Sequence, residues 1–256
     1  MSLGDHLREL RYRIIVSAFA VLVGLIVCAV FNDLLLSVIL HPWQTAALTI
    51  SERTPHLNVQ AVLSGVTSPL ILRLKVAAVG GLILASPFWL YQVWAFIAPG
   101  LVAKEKKYAL AFMAAALPLF LGGVVMAYFI VSQAIAILMA FTPQTVNILN
   151  LLDVENFLGL LLQLMLMFGL GFIMPVVIVA LNLMGIVSAK ALKSARPYVV
   201  FGSFVFGAAA TPGGDPFSMM ALGTPMALLF LGAEAICHAN DKRKRAKLAA
   251  QGLLVE

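Results

Sequence analysis

The chain has 256 residues, of which 62% are hydrophobic and 11% charged, and its net charge is +6. Soluble domains average about 25% charged residues, so this chain has too few polar side chains to cover a water-soluble globule. The same figures argue against a disordered, collagen-like or coiled-coil protein, and two cysteines within apolar runs argue against a disulfide scaffold or a cysteine metal cluster. The composition predicts an integral membrane protein.

Long apolar stretches predict membrane-spanning helices, because about 20 residues at a rise of about 1.5 Å cross the hydrocarbon core. The runs are continuous, without alternating faces, which favours helices over a β-barrel. Five stretches meet or approach the required length, whereas residues 198–210 supply only 13 residues. In chain order, the predicted spans are residues 14–31, 76–97, 108–131, 157–183, 198–210 and 217–237.

The first stretch also has features of a signal peptide, since arginines precede an apolar run. That run has 18 residues, which is longer than the roughly 7–15 residues of a typical signal-peptide core. No clean small-x-small cleavage site follows it. We therefore interpret residues 14–31 as a retained span.

The segments between the spans are too short for a separate soluble domain. Residues 32–69 and 142–156 contain apolar clusters that predict short helices lying at the membrane surface. These clusters are residues 34–40, residues 61–63, and the group Ile148, Leu151 and Leu152. Prolines inside four predicted spans indicate bent helices; they are Pro87, Pro118, Pro175 and Pro225.

Lysine and arginine predict the orientation, because basic loops face the cytoplasm. With six spans, 14 of the 17 basic residues lie on one side, including those of the tail, residues 238–256. A five-span chain without residues 198–210 would place that tail outside, against its charges, so we count this segment as a crossing. We predict an all-α integral membrane protein with six transmembrane helices, both termini cytoplasmic, kinked helices, and short fifth and sixth helices.

Motifs for enzymatic chemistry are absent from the sequence. It has no Gly-x-x-x-x-Gly-Lys-Ser/Thr loop, no His-Glu-x-x-His helix and no Gly-x-Ser-x-Gly elbow. We expect no enzyme activity, no cofactor and no metal, and the charge distribution does not suggest nucleic acid. No internal repeat is visible, which weighs against an inverted-repeat secondary transporter. A secondary transporter and a membrane assembly scaffold are the alternative functions.

Polar residues in or beside the predicted spans are candidate functional groups. Asp215, just before the sixth span, is either a helix N-cap or a direct participant in function. Glu234 lies near the cytoplasmic end of that span, from which its side chain is able to snorkel to the lipid headgroups. Gln92, Gln163 and Asn182 are candidates for hydrogen bonds between helices.

Glu9 and Glu105 are acids among bases at a predicted cytoplasmic boundary, within Arg-Glu-Leu-Arg-Tyr-Arg and Lys-Glu-Lys-Lys. The charge pattern alone favours a local ion pair with a neighbouring Arg or Lys, worth about 0–1 kcal/mol at a surface. In the alternative interpretation, the two carboxylates face one another and receive a cationic ligand.

Three stretches resemble the TatC family, the multispanning receptor of the twin-arginine protein translocase. Residues 6–13, His-Leu-Arg-Glu-Leu-Arg-Tyr-Arg, resemble the family's amino-terminal motif. Residues 84–101, followed by Glu105, are similar to its most distinctive segment and include Ser-Pro-Phe-Trp-Leu-Tyr-Gln-Val-Trp. Residues 196–198 and 211–212 resemble later landmarks, so the resemblance covers nearly the whole chain.

The resemblance implies a receptor function in the bacterial cytoplasmic membrane. Family members recognise twin-arginine signal peptides on folded cargo and assemble with single-span partners, TatA-like and, in many bacteria, TatB-like. We therefore expect a multimeric assembly, driven by the proton-motive force without nucleotide hydrolysis. The family's signal-peptide carboxylates correspond to Glu9 and Glu105, and Arg11, Arg13 and Phe96 match residues of the same recognition region.

Further positions match the family or depart from it. Pro42 matches a family proline in the first external loop. Ile173 stands where the family often has Glu or Gln, and Gln163 lies about three turns away, too far to replace that residue. Two glycines precede Asp215 where the family's acid follows Thr-Pro-Pro, and Glu234 lies three residues beyond the aligned glutamate, on roughly the same helix face.

Overall fold

The computed structural model describes residues 3–53, 59–97, 105–140, 150–210 and 216–250. Within these residues the chain is nearly all helical, as predicted, with eight helices and two short strands. The elements in chain order are α1 (Leu3–Val30), α2 (Asn32–Arg53), β1 (Val59–Val62), α3 (Ser68–Leu84), α4 (Ser86–Ile97), α5 (Glu105–Ala140), β2 (Asn150–Asp153), α6 (Val154–Leu183), α7 (Ala189–Ala210) and α8 (Pro216–Ala250).

Four described helices are long and apolar enough to cross a membrane: α1, α5, α6 and α8. Helices α3 and α4 meet at a bend of 55°, and taken together they are also long and apolar enough to cross a membrane. Counting this bent pair as one span gives up to five spans. Helix α7 contains the predicted fifth span, residues 198–210, but it is not among the helices that are long and apolar enough to cross a membrane. The six-span count and the cytoplasmic termini stay predictions.

The bend between α3 and α4 confirms that the predicted second span is not straight. Helix α3 ends at Leu84, and α4 begins at Ser86. Pro87 lies in the first turn of α4, where its missing N–H breaks no helical hydrogen bond. The other three prolines, Pro118, Pro175 and Pro225, lie inside continuous helices.

The helix predicted at residues 34–40 is confirmed, because these residues lie in α2; its position at the membrane surface stays a prediction. The other two predicted helices are wrong. Residues 61–62 belong to β1, and Leu151 and Leu152 belong to β2. The two strands pair in parallel, with Val59 opposite Asn150 and Val62 opposite Asp153. An apolar cluster of three residues is too short to distinguish a helix from a strand, so the all-α prediction missed this pairing. Ile148 lies outside the described residues.

The prediction of a short sixth helix is also wrong. Helix α8 has 35 residues and continues through the basic stretch to Ala250. Residues 226–250 contain no proline, and their alanines, lysines and arginines favour helix. Helix α7 has 22 residues because the helix already begins before Arg196 and Pro197.

The chain divides into two compact units, Met1–Gly169 and Leu170–Glu256. In the first unit, α1 and α3 touch through Gly24 and Gly81. A Cβ atom at Gly24 would lie 2.6 Å from the carbonyl oxygen of Gly81. In the second unit, a Cβ atom at Gly207 of α7 would lie 2.7 Å from the carbonyl oxygen of Met219 of α8. Small residues bring the backbones together in both units, as is common in membrane bundles.

Candidate functional site

Helix α1 runs antiparallel to α3 and α4 in the first unit. Gly24 of α1 packs against Gly81 of α3, and one end of α1 is reached by α4, where Arg13 Nη1 donates to Gln92 Oε1 at 3.2 Å. Residue numbers therefore fall along α1 as they rise along α3 and α4. The beginning of α1, with Glu9, lies at the end where α4 finishes.

Helix α5 is also antiparallel to α4. The rings of Trp89 and Phe120 meet edge to face with centroids 5.4 Å apart, and those of Trp94 and Phe112 stack at 4.3 Å. As numbers rise along α4 they fall along α5, so α5 begins where α4 ends. Glu105 is the first residue of α5, about two turns before Phe112.

These two relationships place the beginnings of α1 and α5 at one end of the first unit. Glu9 lies one turn before Arg13, and Glu105 lies two turns before Phe112, so both positions lie beyond the layer formed by Gln92 and Trp94. The side chain of Glu105 lies outside the described residues.

Glu9 has a defined environment. Arg13 Nε donates to Glu9 Oε1 at 3.1 Å, and Arg13 Nη2 donates to the same oxygen. This is the local ion pair that the charge pattern favoured, and it is part-buried, with side chains 22% and 20% exposed. The second oxygen, Oε2, is buried and accepts no hydrogen bond from the described part of the chain. Arg13 thus holds the Glu9 carboxylate through Oε1, and Oε2 can still accept a hydrogen bond.

The other residues predicted to take part in recognition lie on the same two helices, α1 and α4. Arg11 is exposed on α1, and Phe96 is half-buried near the end of α4. Gln92 was predicted to bond between helices, and its amide does so with Arg13. The sequence did not indicate the stacked Trp94, which is 4% exposed and packs α4 against α5.

Glu234 is buried rather than extended to the headgroups. Arg196 Nε and Nη2 donate to its Oε2 and Oε1 at 2.8 and 2.7 Å, a two-point ion pair between α7 and α8. The carboxylate side chain is 9% exposed, so the snorkelling prediction is wrong. The hydrogen bonds and charge of Glu234 raise the pKa of the Arg196 guanidinium above its ordinary value.

A second polar cluster joins α6, α7 and α8 in the second unit. Asn182 donates to Asp241 Oδ1 at 3.0 Å and accepts from Asn240 at 2.8 Å. The backbone N–H of Ala189 donates to Asp241 Oδ2 at 2.8 Å, so this carboxylate caps the beginning of α7. Lys244 donates to the carbonyl oxygens of Asn182 and Leu183 at 3.2 Å, at the end of α6. Asn182 was predicted to bond between helices; the role of Asp241 was not predicted.

The other candidate residues are dispersed. Pro42 lies in α2, with its side chain outside the described residues, and Asp215 lies outside them altogether. Gln163 is exposed on α6 and lines a groove, while Ile173 is buried. Across the described ranges, no group of three His, Cys, Asp or Glu side chains is arranged to hold a metal.

Comparison with known proteins agrees with this architecture. Residues 5–225 match the family model described as Sec-independent protein translocase protein (TatC). A TatC protein of Xylanimonas cellulosilytica is 35% identical over 95% of this chain and 86% of its own length. One from Rothia mucilaginosa is 36% identical over 98% and 85%, respectively. A crystal structure of a twin-arginine translocase receptor, TatC, in DDM superposes with a TM-score of 0.77 at 30% identity, covering 91% of this chain and 99% of that one.

Proposed function

The chain belongs to the TatC family of Sec-independent protein translocase components, which are non-enzymatic membrane proteins, and from this premise we propose that it is a signal-peptide receptor. It binds twin-arginine signal peptides of folded proteins at the cytoplasmic face of a bacterial cytoplasmic membrane. It then nucleates the translocation site with TatA-like and, where present, TatB-like single-span subunits, driven by the proton-motive force.

The half-buried carboxylate of Glu9 is the observation that carries this proposal. Its Oε1 already accepts two N–H groups of Arg13, and its buried Oε2 accepts none within the described residues. A guanidinium of the signal peptide supplies N–H donors in a fixed fork that suits such an oxygen. Arg13 is itself oriented by Gln92, so the carboxylate is positioned before the ligand arrives.

Two neighbouring arginines in the ligand call for a second acid at the same end. Glu105 begins α5, and the antiparallel contacts of α4 with α1 and α5 support its placement beside Glu9. Each pair would contribute about 0–1 kcal/mol where exposed and about 1.5–3 where partly desolvated. Charge pairing thus supplies specificity but little affinity.

The apolar segment of the signal peptide supplies the remaining affinity. Near Arg13 and Gln92, several large apolar side chains are exposed on α1 and α4. They are Tyr12 (66% exposed), Ile15 (56%), Phe88 (63%) and Tyr91 (49%). Transfer of apolar surface out of water contributes about 25 cal/mol per Å², so the apolar segment of the peptide outweighs the two ion pairs when it leaves water and packs beside these faces.

The test is photo-crosslinking of a twin-arginine signal peptide to membranes that contain Glu9→Ala, Glu105→Ala or both substitutions. We expect each single substitution to weaken crosslinking and the double substitution to abolish it. Glu→Gln at both positions separates charge from shape. Asp33→Asn is the matched control, because Asp33 is an exposed carboxylate on α2 that pairs with Arg73. Wild-type crosslinking in the double variant would remove the proposed site.

A further inference from the structure

A groove between α3 and α6 is not used by the proposed receptor site. We call it the α3–α6 groove. It has a volume of about 440 Å³. Its apolar walls are Ala78 and Val79 of α3 and Gly159, Leu162, Leu166 and Met167 of α6. Gly159 has no side chain to fill the space, and Gln163 adds one amide to the lining.

An ion pair stands at one end of this groove. Lys75 Nζ donates to Glu155 Oε1 at 2.9 Å, and the two side chains are 40% and 19% exposed. Lys75 also lines the groove, and a Cβ atom at Gly159 would lie 3.8 Å from its Nζ. The groove therefore has Lys75 in its lining and the paired Glu155 beside it, followed by an apolar channel.

The two strands show at which end of α3 and α6 this ion pair lies. Strands β1 and β2 are parallel and lead into α3 and α6, so both helices begin at the same end. Glu155 lies in the first turn of α6, which places the pair near a membrane boundary. From Gly159 to Met167 the groove follows α6 for about 12 Å, comparable to the roughly 15 Å of one leaflet's hydrocarbon.

We propose that the α3–α6 groove binds one aminophospholipid of the surrounding bilayer. The lipid phosphate pairs with Lys75, its primary ammonium pairs with Glu155, and one acyl chain lies along Gly159. An anionic lipid would satisfy the lysine but place its charge beside the glutamate. A choline lipid has no N–H to donate to the carboxylate. A zwitterionic headgroup with a primary ammonium satisfies both partners.

The size of the groove suits a single acyl chain. Its volume of about 440 Å³ lies within the range of small-molecule sites, about 300–1,000 Å³.

The headgroup test uses the full wild-type chain. The protein in detergent is equilibrated with equal amounts of phosphatidylethanolamine, phosphatidylcholine and phosphatidylglycerol of identical acyl chains, and retained lipid is counted by native mass spectrometry. We expect one retained phosphatidylethanolamine per chain, with a preference of about tenfold over each competitor. Equal retention of the three lipids, or preference for phosphatidylglycerol, would overturn the proposal.

The groove itself is tested by Gly159→Leu, which fills the channel while both charged residues, Lys75 and Glu155, are retained in the sequence. Gly122→Leu is the matched control, because a Cβ atom at this glycine of α5 meets nothing within 4 Å. We expect Gly159→Leu to lose the retained lipid and Gly122→Leu to keep it. Wild-type retention by Gly159→Leu shows that the lipid lies elsewhere and contradicts the assignment. If this variant fails to fold, the wild-type headgroup test decides.

Discussion

Arg196 and Glu234 form a two-point ion pair across the α7–α8 interface, with N–O distances of 2.8 and 2.7 Å. The arginine side chain is about half exposed and the carboxylate is buried, so the acid depends on this arginine for both of its hydrogen bonds across the interface. A planar fork satisfies both carboxylate oxygens at once, which a lysine cannot do. The pair therefore sets how α7 lies on α8.

We expect Arg196→Lys to lower the apparent Tm of the detergent-solubilised chain by roughly 5 °C. The ammonium of lysine keeps the charge but reaches only one carboxylate oxygen, leaving the other buried without a donor. Thermal unfolding followed by circular dichroism measures the effect. The conservative control is Arg73→Lys, at an exposed pair with Asp33, which should leave Tm within error. Equal shifts in both variants would mean that burial of Glu234 adds nothing.

The cap formed by Asp241 gives a local prediction. Asp241→Ala removes the acceptor for the Ala189 N–H and for the amide of Asn182, and loss of such a cap costs about 0.5–2 kcal/mol. Amide hydrogen exchange should therefore accelerate in the first turn of α7 and remain unchanged in the middle of α5. Asp241→Asn retains one carbonyl acceptor and should show an intermediate rate. Protection of the first turn in the alanine variant would contradict this role.

Features governed by adjacent residues were predictable from the sequence. The apolar runs located the long helices, because length and hydrophobicity decide whether a helix can cross a bilayer. The pairing of Glu9 with Arg13 follows from their i,i+4 spacing. The break beside Pro87 follows from the preference of proline for the first turn of a helix and from its steric restriction of the residue before it.

Features that join distant residues were not predictable from the sequence. Strands β1 and β2 are about 90 residues apart, and neither four-residue strand has a pattern that specifies its partner. The partner of Glu234 lies 38 residues away on another helix. In the sequence, Glu234 lies near the end of an apolar run. That position alone does not distinguish a glutamate that snorkels to the headgroups from one that pairs with an arginine of another helix.

The contact of α1 with α3 predicts a steric effect. Gly81→Leu places a side chain where even a Cβ atom would lie 2.4 Å from the backbone nitrogen of Leu25. The two backbones must separate, and overpacking of this kind costs about 1–3 kcal/mol or more. We expect a lower Tm and weaker signal-peptide crosslinking, because α1 carries Glu9. The control Gly122→Leu faces open space and should change neither Tm nor crosslinking. If Gly81→Leu also changed neither, the interface between α1 and α3 would have to adapt to the larger side chain.

The receptor proposal makes a final prediction about which arginine meets which glutamate. Replacing one signal-peptide arginine by lysine keeps its charge but loses the fork, and we expect binding to weaken about tenfold where a guanidinium pairs with a half-buried carboxylate. In Glu9→Gln the acceptor charge is gone, so the lysine penalty should vanish for the arginine that pairs with Glu9 and persist for the other. Glu105→Gln should show the reverse. Dissociation constants of the parent peptide and the two singly substituted peptides against the three proteins measure the coupling, because a double-mutant cycle isolates each pair. If both penalties persist in Glu9→Gln and in Glu105→Gln, neither carboxylate binds an arginine, and another acceptor must recognise the guanidinium groups.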